Sequence, residues 1–189
     1  MESDIPRYDL TVDYIVGEGF GINLLNGYKN FHCKIEAGFF ILCVKGTIQA
    51  TINGERYNIV ENDLITLPPN YFMEIHEFSS DIHIYYAGFS SQFIENINLM
   101  KSTQHLLPII VENPVINLSP LQACSYKMFY ESLILAYASA KTLANKEIVK
   151  LYLLCLFREQ QRFISYRAIG IYLLNQENMR YTRSSCNWS

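Results

Sequence analysis

Histidine, cysteine, serine and the carboxylates are the side chains that could do chemistry in this chain, and their spacing excludes most of it. The four histidines, His32, His76, His83 and His105, form no H-E-x-x-H pattern that would put two imidazoles on one helical face for zinc. Cys33, Cys43, Cys124, Cys155 and Cys186 are an odd number at wide spacing, with no C-x-x-C pair. Zinc binding and dithiol exchange are therefore disfavoured, and most of the five are expected to be small buried hydrophobes. There is no G-x-S-x-G elbow and no phosphate-binding glycine loop. The cluster Gly17-Glu18-Gly19-Phe20-Gly21 lacks the flanking strand and spacing of a nucleotide fold and reads as a flexible loop. No catalytic residue, metal ligand set or cofactor is expected.

The elements that must position any site follow from length and pattern. The chain has 189 residues, 50% apolar, 17% charged and 14% aromatic, which suits one domain of ordinary size with a small helical appendage. Its longest unbroken apolar run, Leu151 to Phe157, falls well short of the roughly 20 residues of a membrane-spanning helix. The first residues carry acid where a secretory leader carries lysine or arginine, so a cytoplasmic location is expected. The net charge of -3 divides into -8 over residues 1–118 and +5 over 119–189. An acidic first part is a poor partner for nucleic-acid phosphates.

Residues 28–90 alternate short apolar runs with turn chemistry every eight to twelve residues, the pattern of an all-β sandwich or barrel. The clearest hairpin is Thr47 to Ile52, then Asn53-Gly54, then Glu55 to Val60, because Asn-Gly supplies the two positive φ angles of a type I′ turn. Glu61-Asn62-Asp63 leads into a strand at Leu64 to Leu67, and Pro68-Pro69-Asn70 ends it. Met73 to Phe78 and Asp81 to Phe89 form another strand pair.

Helical pattern begins at Ser90-Ser91 with a short amphipathic segment, Gln92 to Met100. Ser119-Pro120-Leu121-Gln122 predicts a capped helix reaching about Ala140, with serine as the cap, proline in the first turn and glutamine completing a capping box. A second helix is expected from near Asn145, apolar on every side at Leu151 to Phe157. Such a helix must be covered all round, and a second copy of the chain is the economical cover. A homodimer using Leu151, Leu154 and Cys155, with Met128 on the preceding helix, is the expectation.

The run Phe39 to Gly46, the Asn53-Gly54 hairpin, Asn62 to Asn70, and Ile84 to Ser90 followed by a helix resemble the cupin-type sensor domain of AraC-family transcription regulators. The resemblance covers roughly residues 5–160. It implies a mainly β plus α fold, a cupin-like double-stranded β-barrel (jelly roll) followed by a C-terminal helical hairpin. The division would be 1–27 arm and entry strands, 28–90 ligand-binding barrel, 91–163 helical dimerisation region and 164–189 tail. Metal-binding cupins hold their ion with three histidines and a glutamate. Aligning those motifs on Gly46 and on Pro68-Pro69-Asn70 puts the ligand positions on His32, Lys34, Phe39 and Met73. One imidazole among these cannot hold a divalent ion, which agrees with a sensor and disfavours an enzyme.

Strand alternation makes Ile75 point inward with Met73, and Ile84 with Tyr86. His76 and His83 fall in the outward phase. The candidate ligand contacts are therefore His32, Lys34, Phe39, Met73, Ile75, Ile84 and Tyr86, with Tyr8 from an arm at Pro6 to Leu10 that closes over the ligand. Two readings stay open: His32 and Lys34 as a surface polar pair, and the apolar four as plain core filling a small barrel. The implied function is small-molecule sensing, with a sugar as one candidate effector, and dimerisation. After Phe163 only 26 residues follow, with no helix-turn-helix pattern, so this chain alone is not expected to read DNA, nor to bind a membrane. The rival readings are a metal-independent cupin enzyme acting on a sugar or small metabolite, with Lys34 or His32 as general base, and an interaction scaffold.

Overall fold

The computed structural model describes residues 5–19, 29–30, 32–96 and 107–143, together with the helical positions 151, 155 and 158. Ten strands are present in this part: β1 (Arg7–Tyr8), β2 (Tyr14–Glu18), β3 (Cys33–Ile35), β4 (Gly38–Lys45), β5 (Ile48–Ile52), β6 (Glu55–Ile59), β7 (Asp63–Leu67), β8 (Tyr71–Phe78), β9 (His83–Phe89) and β10 (Val115–Asn117). Three helices follow the sheets or interrupt them: α1 (Ser91–Asn96), α2 (Leu107–Glu112) and α3 (Pro120–Leu143).

The strands form two sheets, in the orders β1-β3-β8-β5-β6 and β10-β7-β4-β9-β2. Sequence neighbours β2 and β3, β3 and β4, β4 and β5, β6 and β7, β7 and β8, and β8 and β9 lie in opposite sheets, so the chain passes back and forth between layers. This is the strand order of a double-sheet jelly roll. The described strands thus form two five-stranded sheets, with no ladder between them among the described residues.

One core lies between the sheets. Ile48, Ala50, Ile52 and Ile59 from the first sheet meet Phe39, Ile41, Cys43, Ile65, Leu67 and Ile84 from the second. A second core lies on the far side of the second sheet, where Phe40, Leu42, Leu64, Tyr85, Ala87 and Phe89 meet Ala123, Tyr126, Tyr130 and Leu133 of α3. Strand β4 is therefore buried on both faces, and this is why its sequence, Phe39 to Val44, is an unbroken apolar run and not an alternating one. The outer face of the first sheet carries no such helix among the described residues.

Local chemistry sets the boundaries. Asn53 and Gly54 both adopt positive φ, 48° and 88°, as a type I′ hairpin requires. Ser119 and Gln122 make the reciprocal capping box at the start of α3: the Ser119 amide donates to Gln122 Oε1 at 2.9 Å and the Gln122 amide to Ser119 Oγ at 3.4 Å. Buried Asp63 accepts from the Val60 amide and from Asn117 Nδ2, both at 2.8 Å, and so ties β10 to the β7 edge. Ser90 Oγ caps α1 through the Phe93 amide at 3.1 Å.

Two stretches differ from the sequence expectation. Gly17 and Glu18 end strand β2 instead of lying in a loop, and Gly17 is paired with Tyr86, whose ring occupies the space a Cβ would take. Pro6 to Leu10 is not an arm over the interior. It runs parallel to β3, with the Lys34 amide donating to Pro6 O and the Glu36 amide to Tyr8 O, both at 2.8 Å. Asp9 then accepts from the Ser91 hydroxyl at 2.6 Å, pinning the segment to α1.

Candidate functional site

The open outer face of the first sheet collects polar side chains by simple alternation. Ile48, Ala50 and Ile52 of β5 are buried in the inter-sheet core, so Gln49 and Thr51 face outward, and in β6 Arg56 and Asn58 do the same. The pairings set two rows across three strands: Glu74, Thr51 and Arg56 in one, Glu77, Gln49 and Asn58 in the other.

A β-bulge separates the rows. Gln49 pairs with Glu77 and Ala50 with Ile75, which leaves His76 as the extra residue. Ile75 and Phe78 both pack on the inter-sheet core although they are three positions apart, so His76 and Glu77 both turn to the outer face. Thr51 Oγ1 then lies 2.7 Å from His76 Nε2. The Glu74 carboxylate stands between two imidazoles, 3.7 Å from His76 Nδ1 and 3.8 Å from His32 Nδ1. His32 stacks on Phe72 with ring centroids 5.6 Å apart and planes 7° from parallel.

At the bulge the face opens into a pocket of about 550 Å³. Its floor and walls are Gln49, Ala50, His76 and Glu77 on β5 and β8, and Arg56, Tyr57 and Asn58 on β6. Lys29 and Asn30 close the remaining side, held there because the Asn30 amide donates to Ile75 O at 2.7 Å. The Tyr57 hydroxyl donates to Glu55 at 3.0 Å, and burial followed by this carboxylate pushes its pKa up to about 12. The volume falls within the span of small-molecule sites, and the lining combines polar end groups with the apolar stems that carry them.

The structure divides the residues singled out in the sequence. Phe39, Ile75 and Ile84 are buried in the inter-sheet core, with Met73 and Tyr86 half-buried against it. Lys34, between buried Cys33 and Ile35, is on the outer face, where His32 is exposed. Tyr8 is exposed on edge strand β1. These eight residues do not converge on one cavity. Of the pairing candidates, Met128 of α3 is exposed, as are Leu151 and Cys155, and Leu154 lies outside the described residues, as do His105 and Cys186.

His76, Glu77, Gln49, Arg56, Asn58 and Lys29 were not singled out by sequence reasoning. One signal for them was available: in Ile75-His76-Glu77-Phe78 the apolar spacing of three breaks the period of two, which marks a bulge. Among the described residues no group of three or more His, Cys, Asp or Glu is placed to hold a metal ion. None of the described helices is long and apolar enough to cross a membrane.

No protein-family model matches the sequence, and no curated protein matches it. Among solved structures, the chain is similar to an RmlC-like cupin family protein from Methanocaldococcus jannaschii, with 20% identity over 31% of this chain and 55% of that one and a TM-score of 0.28. It is also similar to the Cnp3 cupin domain of Schizosaccharomyces pombe, with 14% identity, 48% and 65% coverage and a TM-score of 0.30. Apo ToxT of Vibrio cholerae gives 11% identity, 66% and 49% coverage and a TM-score of 0.39. The chain thus spans about half to two thirds of the length of these proteins. Likenesses at this level decide neither fold nor function, and the jelly-roll assignment rests on the strand pairings.

Proposed function

We propose that this chain is a small-molecule-sensing and dimerisation domain, of the kind that AraC-type transcription regulators carry, and that it works by binding without catalysis. The observation that carries the reading is the polar pocket on the open face of the first sheet, opposite the sheet that α3 covers. Binding at one face and helix packing at the other give a sandwich through which an occupied pocket bears on α3. Tyr130, fully buried, donates to Phe40 O at 3.0 Å, and Tyr85 donates to Glu131 at 3.1 Å, so α3 is bonded to the second sheet at two points.

The same reading assigns the outer stripe of α3 to a second copy of the chain. Leu121, Cys124 and Met128 follow at heptad spacing, with Leu135 one heptad beyond Met128, and all four are exposed. The effector binds at the bulge pocket, which opens on the uncovered face of the first sheet, whereas Ile52, Ile65, Leu67 and Ile84 of the inter-sheet core are each 1% exposed.

Thermal unfolding of the purified chain against a panel of sugars, sugar acids and other small metabolites, each with and without chelator, tests this. A ligand at about 100 times its Kd adds roughly 2.7 kcal/mol, or about 5 to 10 °C at this size. A rise with one compound class that chelator leaves unchanged, and that Gln49→Ala with Asn58→Ala abolishes, is the expected result. A panel without any shift, or turnover of a compound, overturns it.

A further inference from the structure

We infer that the bulge pocket is built for a short hydroxylated dicarboxylate, an acidic sugar derivative with a negative group at each end. The inference rests on the sensing reading above and adds the chemical class of the ligand.

Charge carries it first. Residues 1–118 sum to -8, yet two cations, Lys29 and Arg56, line this one pocket. Elsewhere in the described part of this region Arg7 is paired with Glu36 at 3.2 Å and Lys45 with Asp81 at 3.5 Å, and Lys34 lies outside the pocket. The Lys29 and Arg56 side chains make no ion pair or hydrogen bond among the described residues. Two uncommitted cations facing one concavity in an acidic region are matched by an anion.

Their placement then sets where the anionic groups go. Lys29 bridges to β8, β8 pairs with β5 and β5 with β6, which carries Arg56. Three inter-strand spacings of about 4.8 Å separate the two backbones, so the two cations line opposite walls of the pocket. A single carboxylate engages one wall at a time, and a molecule with a carboxylate at each end engages both. The guanidinium of Arg56 offers a planar fork suited to carboxylate oxygens.

The groups between the walls define the middle of the ligand. Gln49 and Asn58 carry amides that both donate and accept, Glu77 accepts, and Thr51 fixes the His76 ring at 2.7 Å. Hydroxyl groups satisfy such a set, since each donates to Glu77 or an amide oxygen and accepts from an amide nitrogen. An apolar linker would leave those groups desolvated and unpaired. Glu77 also disfavours a carboxylate at the centre of the molecule, which again puts the charges at the ends.

Calorimetric titration of the full chain with glucitol, gluconate and glucarate tests the assignment, because these share one carbon skeleton and carry no, one and two carboxylates. Affinity is expected to rise about fivefold with each added carboxylate, the size of an exposed ion pair, and to fall with added salt. Arg56→Gln and Lys29→Gln, both at exposed positions, should each remove one step of that rise and leave folding intact. Equal binding of all three compounds, lost in Gln49→Ala with Asn58→Ala but unaffected by the cation variants, overturns the dicarboxylate and retains the pocket. Binding that no pocket variant changes, or no binding by any of the three or by the wider panel, overturns the pocket as well.

Discussion

Thr51 Oγ1 lies 2.7 Å from His76 Nε2, a bond between side chains on neighbouring strands that holds the bulged imidazole at the edge of the pocket. Glu74 stands on the other side of the ring, 3.7 Å from Nδ1. Thr51→Val keeps the β-branched shape and removes the hydroxyl. Fold stability is expected to drop by about 1 kcal/mol, the net worth of one hydrogen bond, while affinity for the pocket ligand falls several-fold because the ring is free to turn. Urea unfolding and calorimetry on the same variant separate the two effects. Unchanged affinity would show that ring orientation plays no part in binding.

Two buried tyrosines give opposite expectations for the same substitution. Tyr130 is fully buried and its hydroxyl donates to Phe40 O, so Tyr130→Phe should cost about 1 to 2 kcal/mol. Tyr71, 7% exposed in the inter-sheet core, has a hydroxyl with no hydrogen-bond partner among the described residues. Removing it relieves a desolvated polar group, so Tyr71→Phe should leave stability unchanged or raise it by up to about 1 kcal/mol. Denaturant midpoints of the two variants measured side by side decide this. A loss in Tyr71→Phe as large as that in Tyr130→Phe would mean that the Tyr71 hydroxyl is bonded to water.

The Asn53-Gly54 turn, the capping box at Ser119 and Gln122, and the doubly buried run at Phe39 to Val44 were legible in the sequence because each depends on chemistry within a few residues. The jelly-roll architecture followed from their order. The pocket was not legible for a physical reason. Alternation alone predicts which residues share a face, but not which face a helix covers, and the choice of the second sheet for α3 depends on long-range contacts such as Tyr130 to Phe40. Inward alternation therefore points to Phe39, Ile75 and Ile84, which are core, whereas Gln49, Arg56 and His76 are brought together by a bulge and an uncovered face.

Alkaline pH should destabilise the fold over a defined window. Burial, reinforced by the Asp63 carboxylate, pushes the Cys43 thiol from 9.0 up to about 12. Tyr85 is pushed from 10.0 to about 12 by burial and then by its hydrogen bond to Glu131, and Tyr57 likewise by burial and Glu55. All three are raised in the folded state, so their contribution is fully present below about pH 9 and is lost as pH rises through the folded values near 12, the unfolded chain shedding its protons first. Urea midpoints should hold steady from pH 7 to 9 and then fall. At pH 8 a maleimide should leave buried Cys43 unreacted in the folded chain and label it once urea has unfolded the chain. Rapid labelling of Cys43, or a midpoint flat to pH 11, would contradict the assignment.

The outer stripe of α3 provides the last test. Met128 is 64% exposed and Leu135 69%, with Leu121 at 80%, so large apolar side chains face solvent along one side of a helix whose other side holds Ala123, Tyr126, Tyr130 and Leu133 against the second sheet. On the proposed reading this stripe is the surface that a second copy covers. Met128→Lys removes apolar area from the stripe and adds a charge that repels its symmetry mate across an isologous interface. Because the position is exposed, fold stability of the single chain should change by no more than about 0.5 kcal/mol. Sedimentation velocity is expected to show a dimer for the unaltered chain and a shift towards monomer for Met128→Lys. A dimer that survives Met128→Lys combined with Leu135→Lys would put the contact elsewhere and leave this stripe as ordinary exposed surface.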